Sequence, residues 1–291
     1  MDWPATSTGA LLVLLILRDV FHTLWHPTRH GGISKLVMTL AWRSATRLRT
    51  RRRASGLAGP LAMVTVVALW ALTITVGWAL VYWPHMPGSF TYTAALNPAE
   101  HAGFVDALYV SLVNLTTLGL GDIAPTTGWL RIVAPLESLV GFALLSATVS
   151  WILGIYPALA RRRALALRLS HLGRHLAREA APGASARLLD DLATGIAGVS
   201  VDLMQYAESY YFYDGDDRTS LSAQVGFAME LARQGAASAD PGVRQSGRVL
   251  AAALEDFATI LDARFLHTLG TPEETIRAYQ RDHGQHAGAS G

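Results

Sequence analysis

The chain has 291 residues, of which 51% are hydrophobic and only 16% are charged, a balance that is shifted toward membrane proteins. It contains no cysteine, which excludes disulfide frameworks, thiolate metal sites and cysteine nucleophiles. The net charge of +2 says little by itself, whereas the distribution of charges along the chain is informative.

The first apolar stretch, residues 9–25, is interrupted by the adjacent charges Arg18 and Asp19. Its length is just sufficient to cross a hydrocarbon core of about 30 Å. Because charges are costly in hydrocarbon unless they face protein or water, two interpretations stay open: a short spanning helix, or an interfacial or half-inserted helix. We assign residues 1–26 to this N-terminal helix.

A basic segment, residues 27–57, follows and contains no acidic residue. Apolar residues recur within it at helical spacing, which predicts an amphipathic helix with basic flanks. By the positive-inside rule the segment lies at the cytoplasmic surface, where anionic lipid attracts it, and no nucleic-acid partner is expected. The cations are Arg29, Lys35, Arg43, Arg47, Arg49, Arg51, Arg52 and Arg53, and the apolar positions are Ile33, Leu36, Val37, Leu40 and Ala41.

Residues 59–83 form the first strong membrane signal, 25 residues without a charge and with Trp78, Tyr82 and Trp83 at the far end. No Lys or Arg occurs between Arg53 and Arg131, so the connection after this helix is expected outside the cell. Residues 102–115 are apolar but too short to cross a bilayer. We predict that they form a re-entrant helix whose carbonyl end carries a partial negative charge.

The next residues, 116–122, are called the filter loop and read Thr-Thr-Leu-Gly-Leu-Gly-Asp. Gly119 and Gly121 are two residues apart, so alternate residues can take positive φ without a Cβ clash, and successive carbonyls can turn to one side. A ring of such carbonyls, with the Thr117 hydroxyl at the inner end, can replace the hydration shell of a monovalent cation. We predict that the loop is the narrow part of an ion pore.

Residues 117–122, Thr-Leu-Gly-Leu-Gly-Asp, resemble the Thr-Val-Gly-Tyr-Gly-Asp signature of the potassium channel family, with leucine in place of Val and Tyr. The resemblance covers residues 58–157 and implies a pore domain with an outer helix, a pore helix, a selectivity filter and an inner helix, as in bacterial two-transmembrane channels. Both leucines would point into supporting protein. The resemblance also implies that potassium is the permeant ion and that no cofactor or other metal is needed. The ion-binding residues are Thr117, Leu118, Gly119, Leu120 and Gly121.

Leu120 cannot donate the hydrogen bond of a tyrosine, so a weakly selective monovalent cation channel is kept as an alternative. Val113 occupies the position where some family members carry a Glu that pairs with the Asp after the filter, so Asp122 is expected to lack that partner. We predict that the filter is supported by Thr116, Asp122, Asn114 and Glu137.

Residues 129–156 form the second strong membrane segment, and Glu137 is the only ionisable group in its apolar part. It is expected either to face protein and brace the pore helix or filter, or to lie at the interface. Gly141 follows Gly121 at a spacing that resembles the hinge glycine of the family's inner helix. The cavity and inner gate would be lined by Phe142, Leu145, Val149 and Leu153, although ordinary helix packing would give the same spacing.

After Pro157, a second basic cluster that includes Arg161, Arg162 and Arg163 predicts a second cytoplasmic exit. Residues 158–291 are predicted to form a cytoplasmic helical domain, and nothing in them names a regulatory ligand. The expected helices are 160–180, 185–213, 219–235, 242–268 and 272–282, with Asp240 and Thr271 as N-caps and residues 284–291 disordered.

The predicted fold is therefore an all-α membrane protein, multi-pass in the plasma membrane with a cytoplasmic C-terminus. The predicted function is passive potassium conduction by a homotetramer, without enzymatic activity. A second hypothesis is a non-conducting membrane scaffold. An intramembrane aspartyl protease is disfavoured: Gly-x-Gly-Asp at residues 119–122 and Pro-Ala-Leu at 157–159 resemble its motifs, yet the required Tyr-Asp pair occurs only at Tyr213 and Asp214.

Overall fold

The computed structural model describes residues 3–24, 32, 36–40, 42, 58–178 and 184–283. The chain divides into two compact units. The first comprises Met1–Leu40 and Leu61–Ile152, and the second comprises Ala41–Pro60 and Leu153–Gly291. The segment predicted as one basic element, residues 27–57, is thus shared between the units.

The first unit contains helices and one small sheet. In chain order its elements are α1 (Trp3–Leu24), α2 (Ala58–Tyr82), a 3-10 turn (Trp83–His85), β1 (Phe90–Tyr92), α3 (Phe104–Leu115), β2 (Ile123–Pro125) and the first part of α4 (Leu130–Arg178). The two strands are antiparallel and pair Phe90 with Pro125. Among the described residues, three helical stretches are long and apolar enough to cross a membrane: Trp3–Thr23, Gly59–His85 and Leu130–His175. The predicted all-α membrane fold is confirmed, and the sheet was not predicted.

Helix α1 packs closely on α2 where two glycines meet. A Cβ atom on Gly9 would overlap the Gly77 carbonyl oxygen, and one on Gly77 would lie 2.7 Å from Val13 Cγ2. Asp19 is buried and accepts a 2.9 Å hydrogen bond from Trp70 Nε1. Its neighbour Arg18 is exposed. Asp19 therefore faces protein, whereas Arg18 lies on an open side, and the spanning and interfacial interpretations of α1 both stay open.

Helix α4 runs without interruption for 49 residues, from Leu130 to Arg178. The membrane segment predicted at 129–156 and the helix predicted at 160–180 are parts of this one helix, so their predicted separation is wrong. A proline inside a helix removes one hydrogen bond and can kink it, but the flanking turns sustain the helix here. A helix of this length rises about 74 Å, well over the hydrocarbon thickness, so α4 continues beyond any membrane that it crosses.

The second unit holds α5 (Ala186–Gln205), a 3-10 turn (Ala207–Tyr211), α6 (Leu221–Ala236), α7 (Pro241–Leu261), a wider turn (Asp262–Leu266) and α8 (Pro272–Asp282). Its core contains the fully buried side chains of Leu189, Leu192, Ile196, Val225, Leu250 and Phe257. The predicted N-caps are confirmed, because Asp240 accepts from Val243 N and Thr271 from Glu274 N. The helices predicted at 185–213 and 242–268 end earlier, at Gln205 and Leu261.

Several predictions concern residues outside the described ranges. They include the basic side chains Arg29, Lys35, Arg43, Arg47, Arg49, Arg51, Arg52 and Arg53, the apolar positions Ile33 and Ala41, and the C-terminal residues 284–291. One described residue of the basic segment, Trp42, is buried within the second unit, where its Nε1 donates a 3.1 Å hydrogen bond to Asp282. At this position the segment contacts protein rather than lying free for lipid.

Candidate pore site

Helix α3 is a short apolar helix that leads directly into the filter loop. Its first turn is closed by Asp106, which accepts a 3.0 Å hydrogen bond from the Gly103 backbone and lies 3.0 Å from His101 Nδ1. At its other end the Asn114 and Val113 carbonyls accept from the amides of Thr117 and Leu118. The remaining carbonyls of this end carry the partial negative charge of the helix dipole toward the loop.

The filter-loop backbone alternates in handedness. Thr117, Gly119 and Gly121 have φ values of 58°, 60° and 74°, and the leucines between them do not have positive φ. Glycine takes this conformation without a steric cost, whereas Thr117 does so against the preference of a β-branched residue. The two-residue glycine spacing predicted this alternation, and Thr117 extends it by one further position. Such a backbone turns successive carbonyls toward one side.

The filter loop lies open to its surroundings within a single chain. All residues from Thr116 to Gly121 are exposed, and the side chains of Leu118 and Leu120 are 64% and 58% accessible. A Cβ atom on Gly119 would meet no other atom within 4 Å. The protein expected to support the two leucines is thus not contributed by the same chain.

Asp122, at the end of the filter loop, has a partner that differs from the family's carboxylate. The Tyr109 hydroxyl donates a 2.6 Å hydrogen bond to Asp122 Oδ2, and the Asp122 carbonyl accepts from Thr93 N at 2.9 Å. Val113, where a carboxylic acid was sought, is buried and apolar. The partner of Asp122 is Tyr109, which lies one helical turn before Val113. Asp122 therefore lacks the family's Glu, as expected, but another side chain binds it.

Glu137 is completely buried and joins three helices of the first unit. Its Oε2 accepts from the Tyr82 hydroxyl of α2 at 2.6 Å and from Asn114 Nδ2 of α3 at 3.5 Å, and its Oε1 accepts from Ser111 Oγ at 2.5 Å. Burial of a carboxyl group is tolerable only with such donors. Of the two interpretations of Glu137, burial among protein donors excludes the interfacial one.

Helix α4 also contacts the carbonyl end of α3 next to Glu137. Ser138 Oγ donates a 2.9 Å hydrogen bond to the Asn114 carbonyl. A Cβ atom on Gly141 would overlap the Leu115 carbonyl oxygen. Gly141 was predicted as a hinge from its spacing, and it lies within an unbroken helix at a point of close approach to α3.

The four residues predicted to line the cavity lie along an open face of α4. Phe142, Leu145, Val149 and Leu153 are all exposed, and their spacing of three or four residues places them on one side of the helix. Packing within this chain does not cover them, which leaves the face available to a cavity, to lipid or to further copies.

Sequence reasoning missed two contributors to the site. Tyr82 was assigned to an aromatic belt, and Ser138 was not singled out, yet both bind residues that hold the filter loop. The signal for Tyr82 was its hydroxyl, which needs a partner when it lies in an apolar helix. The protease hypothesis gains nothing, because Asp214 is engaged by Arg162 and Arg163. Among the described residues no group of three or more His, Asp or Glu could hold a metal.

Comparison with known proteins places this site in context. Residues 62–155 match a sequence family described as "Ion channel". The chain is 46% identical over 55 residues to Two-pore potassium channel 5 of Arabidopsis thaliana, over 18% of this chain and 14% of that protein. It is 26% identical over 167 residues to the uncharacterized membrane protein YdjJ of Bacillus subtilis, over 57% of this chain and 48% of that protein. The chain thus matches less than half the length of either relative, and no solved structure matches it.

Proposed function

We propose that this chain conducts potassium ions passively through a pore of four copies, because residues 62–155 match the family described as "Ion channel", in agreement with the resemblance first noted in the filter loop. A multi-pass membrane location and ion conduction through an assembled channel are supported by the family match over residues 62–155 and by the three apolar helices among the described residues. The identity of the ion, the number of copies and the gate are our proposals.

One observation carries the proposal: the alternation of positive φ at Thr117, Gly119 and Gly121 in an exposed loop at the carbonyl end of a short helix. An ordinary Gly-x-Gly turn needs neither the preceding half-length helix nor the third positive φ. With carbonyls turned to one side, the loop can supply oxygen ligands from Thr117 through Gly121 in place of water.

The proposal of several copies is supported by the exposed filter loop. A single loop provides oxygens from one side only, and dehydration of a cation requires ligands all around it. Four loops about a closed cyclic axis would complete the coordination and would also cover Leu118 and Leu120 with neighbouring chains. The buried Glu137 and the Tyr109–Asp122 hydrogen bond would hold each loop at the required radius.

The proposed gate lies on the open face of α4, at Phe142, Leu145, Val149 and Leu153. Where a pore narrows between apolar side chains, it can lose its water, and ions then no longer pass. The second unit, which includes Trp42 from the basic segment, would lie in the cytoplasm on the positive-inside rule, and a regulatory role for it is proposed without a known ligand.

Ion flux tests the proposal directly. Liposomes that contain the purified chain should pass potassium faster than sodium, and equal rates would favour the weakly selective alternative that Leu120 suggests. Gly119→Ala and Gly121→Ala should abolish flux, because alanine at positive φ is strained by roughly 1–2 kcal/mol per residue in each of the four chains. Gly128→Ala is the matched control, since a Cβ atom there meets nothing within 4 Å. Absence of any flux from the unmodified chain would favour the scaffold hypothesis.

A further inference from the structure

A buried segment of the second unit, residues 206–214, contacts several elements and is called the strap. It comprises the 3-10 turn Ala207–Tyr211 and its flanking residues, and it separates α5 from α6. Six of its nine residues are buried: Ala207, Glu208, Ser209, Tyr210, Phe212 and Asp214. The N–H and C=O groups of a buried irregular backbone need hydrogen-bond partners in other parts of the protein. Those partners show which elements the strap contacts.

The main partner is Arg162 of α4, which is only 3% exposed. Its guanidinium donates to the Ser209 carbonyl at 2.7 Å, to the Phe212 carbonyl at 2.9 Å and to Asp214 Oδ2 at 3.0 Å. Asp214 also accepts from Arg163 Nε at 2.8 Å. One fork of donors thus fixes both the backbone and the acidic end of the strap, which a lysine could not reproduce.

The strap makes two further contacts with the proposed pore helices, one at the first turn of α2 and one in the middle of α4. Phe212 lies against the first turn of α2, where a Cβ atom on Gly59 would be 2.7 Å from the ring. Tyr206 lies against α4, where a Cβ atom on Gly154 would be 2.6 Å from the ring and hydroxyl. Leu153, the last residue of the proposed gate, immediately precedes Gly154.

The opposite side of the strap is attached to the C-terminal helices through Tyr210. Its ring stacks on Phe265 with centroids 4.2 Å apart, and its hydroxyl donates to Asp282 Oδ2 at 2.5 Å. Trp42 donates to the same Asp282 carboxylate. The strap is therefore the point at which α2, α4, α8 and the basic segment are joined within the second unit.

We propose that the strap couples the C-terminal helices to the inner gate, and that Arg162 is the positioning residue through which it holds α4. This inference rests on the proposed function, because it assumes a gate on α4. The middle of α4, from Gly154 to Arg163, can move relative to the first turn of α2 only if the strap releases one of the two helices. Gating transitions must therefore pass through a change at the contact of Phe212 with α2, or at the contacts of Arg162, Arg163 and Tyr206 between α4 and the strap.

The absence of native cysteine allows the contact to be locked in the full-length chain. The double variant Gly59→Cys and Phe212→Cys places one thiol on α2 and the other in place of the ring that lies against Gly59. Oxidation of the two thiols to a disulfide then links the strap to α2. In planar-bilayer recordings with potassium, oxidation should reduce the frequency of opening and closing at least fivefold, the lower range of typical coupling effects, and dithiothreitol should restore it. Phe212→Cys alone is the control for oxidation itself.

The role of Arg162 is tested in the same cysteine background. Arg162→Gln removes the three hydrogen bonds by which this guanidinium holds the strap, whereas the contacts of Arg163 and Tyr206 remain. Transitions should therefore be more frequent after oxidation than in the cross-linked parent, and the unitary current should equal that of the parent. Arg168→Gln is the matched control, because Arg168 lies on the same helix in an exposed pair with Asp191, and oxidation should still suppress transitions there.

Two results would overturn the coupling role: complete cross-linking, verified by mass spectrometry, with undiminished transitions, or suppression by oxidation that is the same with and without Arg162. If Arg162→Gln prevents folding, the first result still decides the question. A silent unmodified chain would instead overturn the proposed function, and the strap's role with it.

Discussion

The Tyr109 hydroxyl donates a 2.6 Å hydrogen bond to the Asp122 carboxylate, which ties the middle of α3 to the residue that closes the filter loop. This bond spans the loop from its supporting helix to its outer end. A hydrogen bond to a charged acceptor stabilises more than one to a neutral group. Val113, where the resemblance to potassium channels led us to look for a carboxyl partner of Asp122, is a buried apolar residue, and Tyr109 is the partner instead.

Tyr109→Phe removes only this hydroxyl. We expect the filter of each chain to lose the stabilisation that this hydrogen bond provides, so that potassium flux decays faster during sustained conduction. Flux is measured from liposomes over time. Tyr92→Phe is the control, since the Tyr92 hydroxyl donates to the His101 carbonyl and does not touch the filter loop. Equal decay in the two variants would contradict the bracing role of Tyr109.

Glu137→Gln keeps the size of the side chain but replaces one carboxyl oxygen with an NH2 group. This NH2 group then faces one of the donors that now bind Glu137, from Tyr82, Ser111 or Asn114. An unsatisfied buried donor costs about 1–3 kcal/mol, so we expect a less stable assembly and reduced potassium flux. The measurement is the temperature at which the detergent-solubilised oligomer dissociates. Glu100→Gln is the control, because Glu100 accepts from Asn97 at the surface. An unchanged dissociation temperature would show that the three helices do not depend on this carboxyl group.

Gly141→Ala places a methyl group into the Leu115 carbonyl oxygen. Over-packing of this kind typically costs about 1–3 kcal/mol, and here it would displace the end of α3 that leads into the filter loop. We expect loss of potassium flux, with Gly128→Ala unaffected. A Gly141→Ala channel that conducts normally but opens with altered frequency would favour the hinge interpretation instead.

The second unit should become less stable toward unfolding at acid pH because of His283. Burial among Trp42, Tyr210 and Tyr279, and then the charge of Arg162, lower the pKa of His283 from 6.5 to about 4. Between these values the unfolded chain binds more protons, so the free energy of unfolding falls as the pH is lowered from about 6.5 to about 4. The loss is on the order of 3 kcal/mol, since one pKa unit corresponds to about 1.4 kcal/mol.

Hydrogen exchange of residues 272–282, corrected for the intrinsic effect of pH, measures this change. His283→Gln keeps a donor for the Tyr210 carbonyl but does not titrate, so its protection should vary less over the same range. His171→Gln, at an exposed position of α4, should behave as the unmodified chain. Parallel pH profiles for all three chains would exclude His283 as the cause.

Much of the pore site could be predicted from local sequence. The spacing of Gly119 and Gly121 determines where the backbone can reverse its handedness, and the length of residues 102–115 excludes a spanning helix. An uncharged run such as residues 59–83 identifies a membrane helix by composition alone. Each of these features depends on neighbours in the chain, which is why periodicity and residue type revealed them.

Other features depend on residues far apart in the chain. Nothing near Glu137 indicates that Tyr82 lies 2.6 Å away across 55 residues, or that Tyr109 serves Asp122. The continuity of α4 through Pro157 was also decided by context, because proline disfavours a helix locally but the flanking turns and the contacts of Arg162 sustain it. Residues 206–213 have a helical pattern. Part of them forms a 3-10 turn instead, where Arg162 donates hydrogen bonds to the backbone and Phe212 packs against Gly59.

The sequence by itself therefore determined the membrane segments, the filter loop and its backbone alternation, because hydrophobic length and glycine conformation are local properties. Only the tertiary structure decided which donors satisfy Asp19, Asp122 and Glu137, and which elements the strap joins. A buried charge must be paired, but the sequence does not specify which distant side chain pairs with it, since that choice is made when the helices pack.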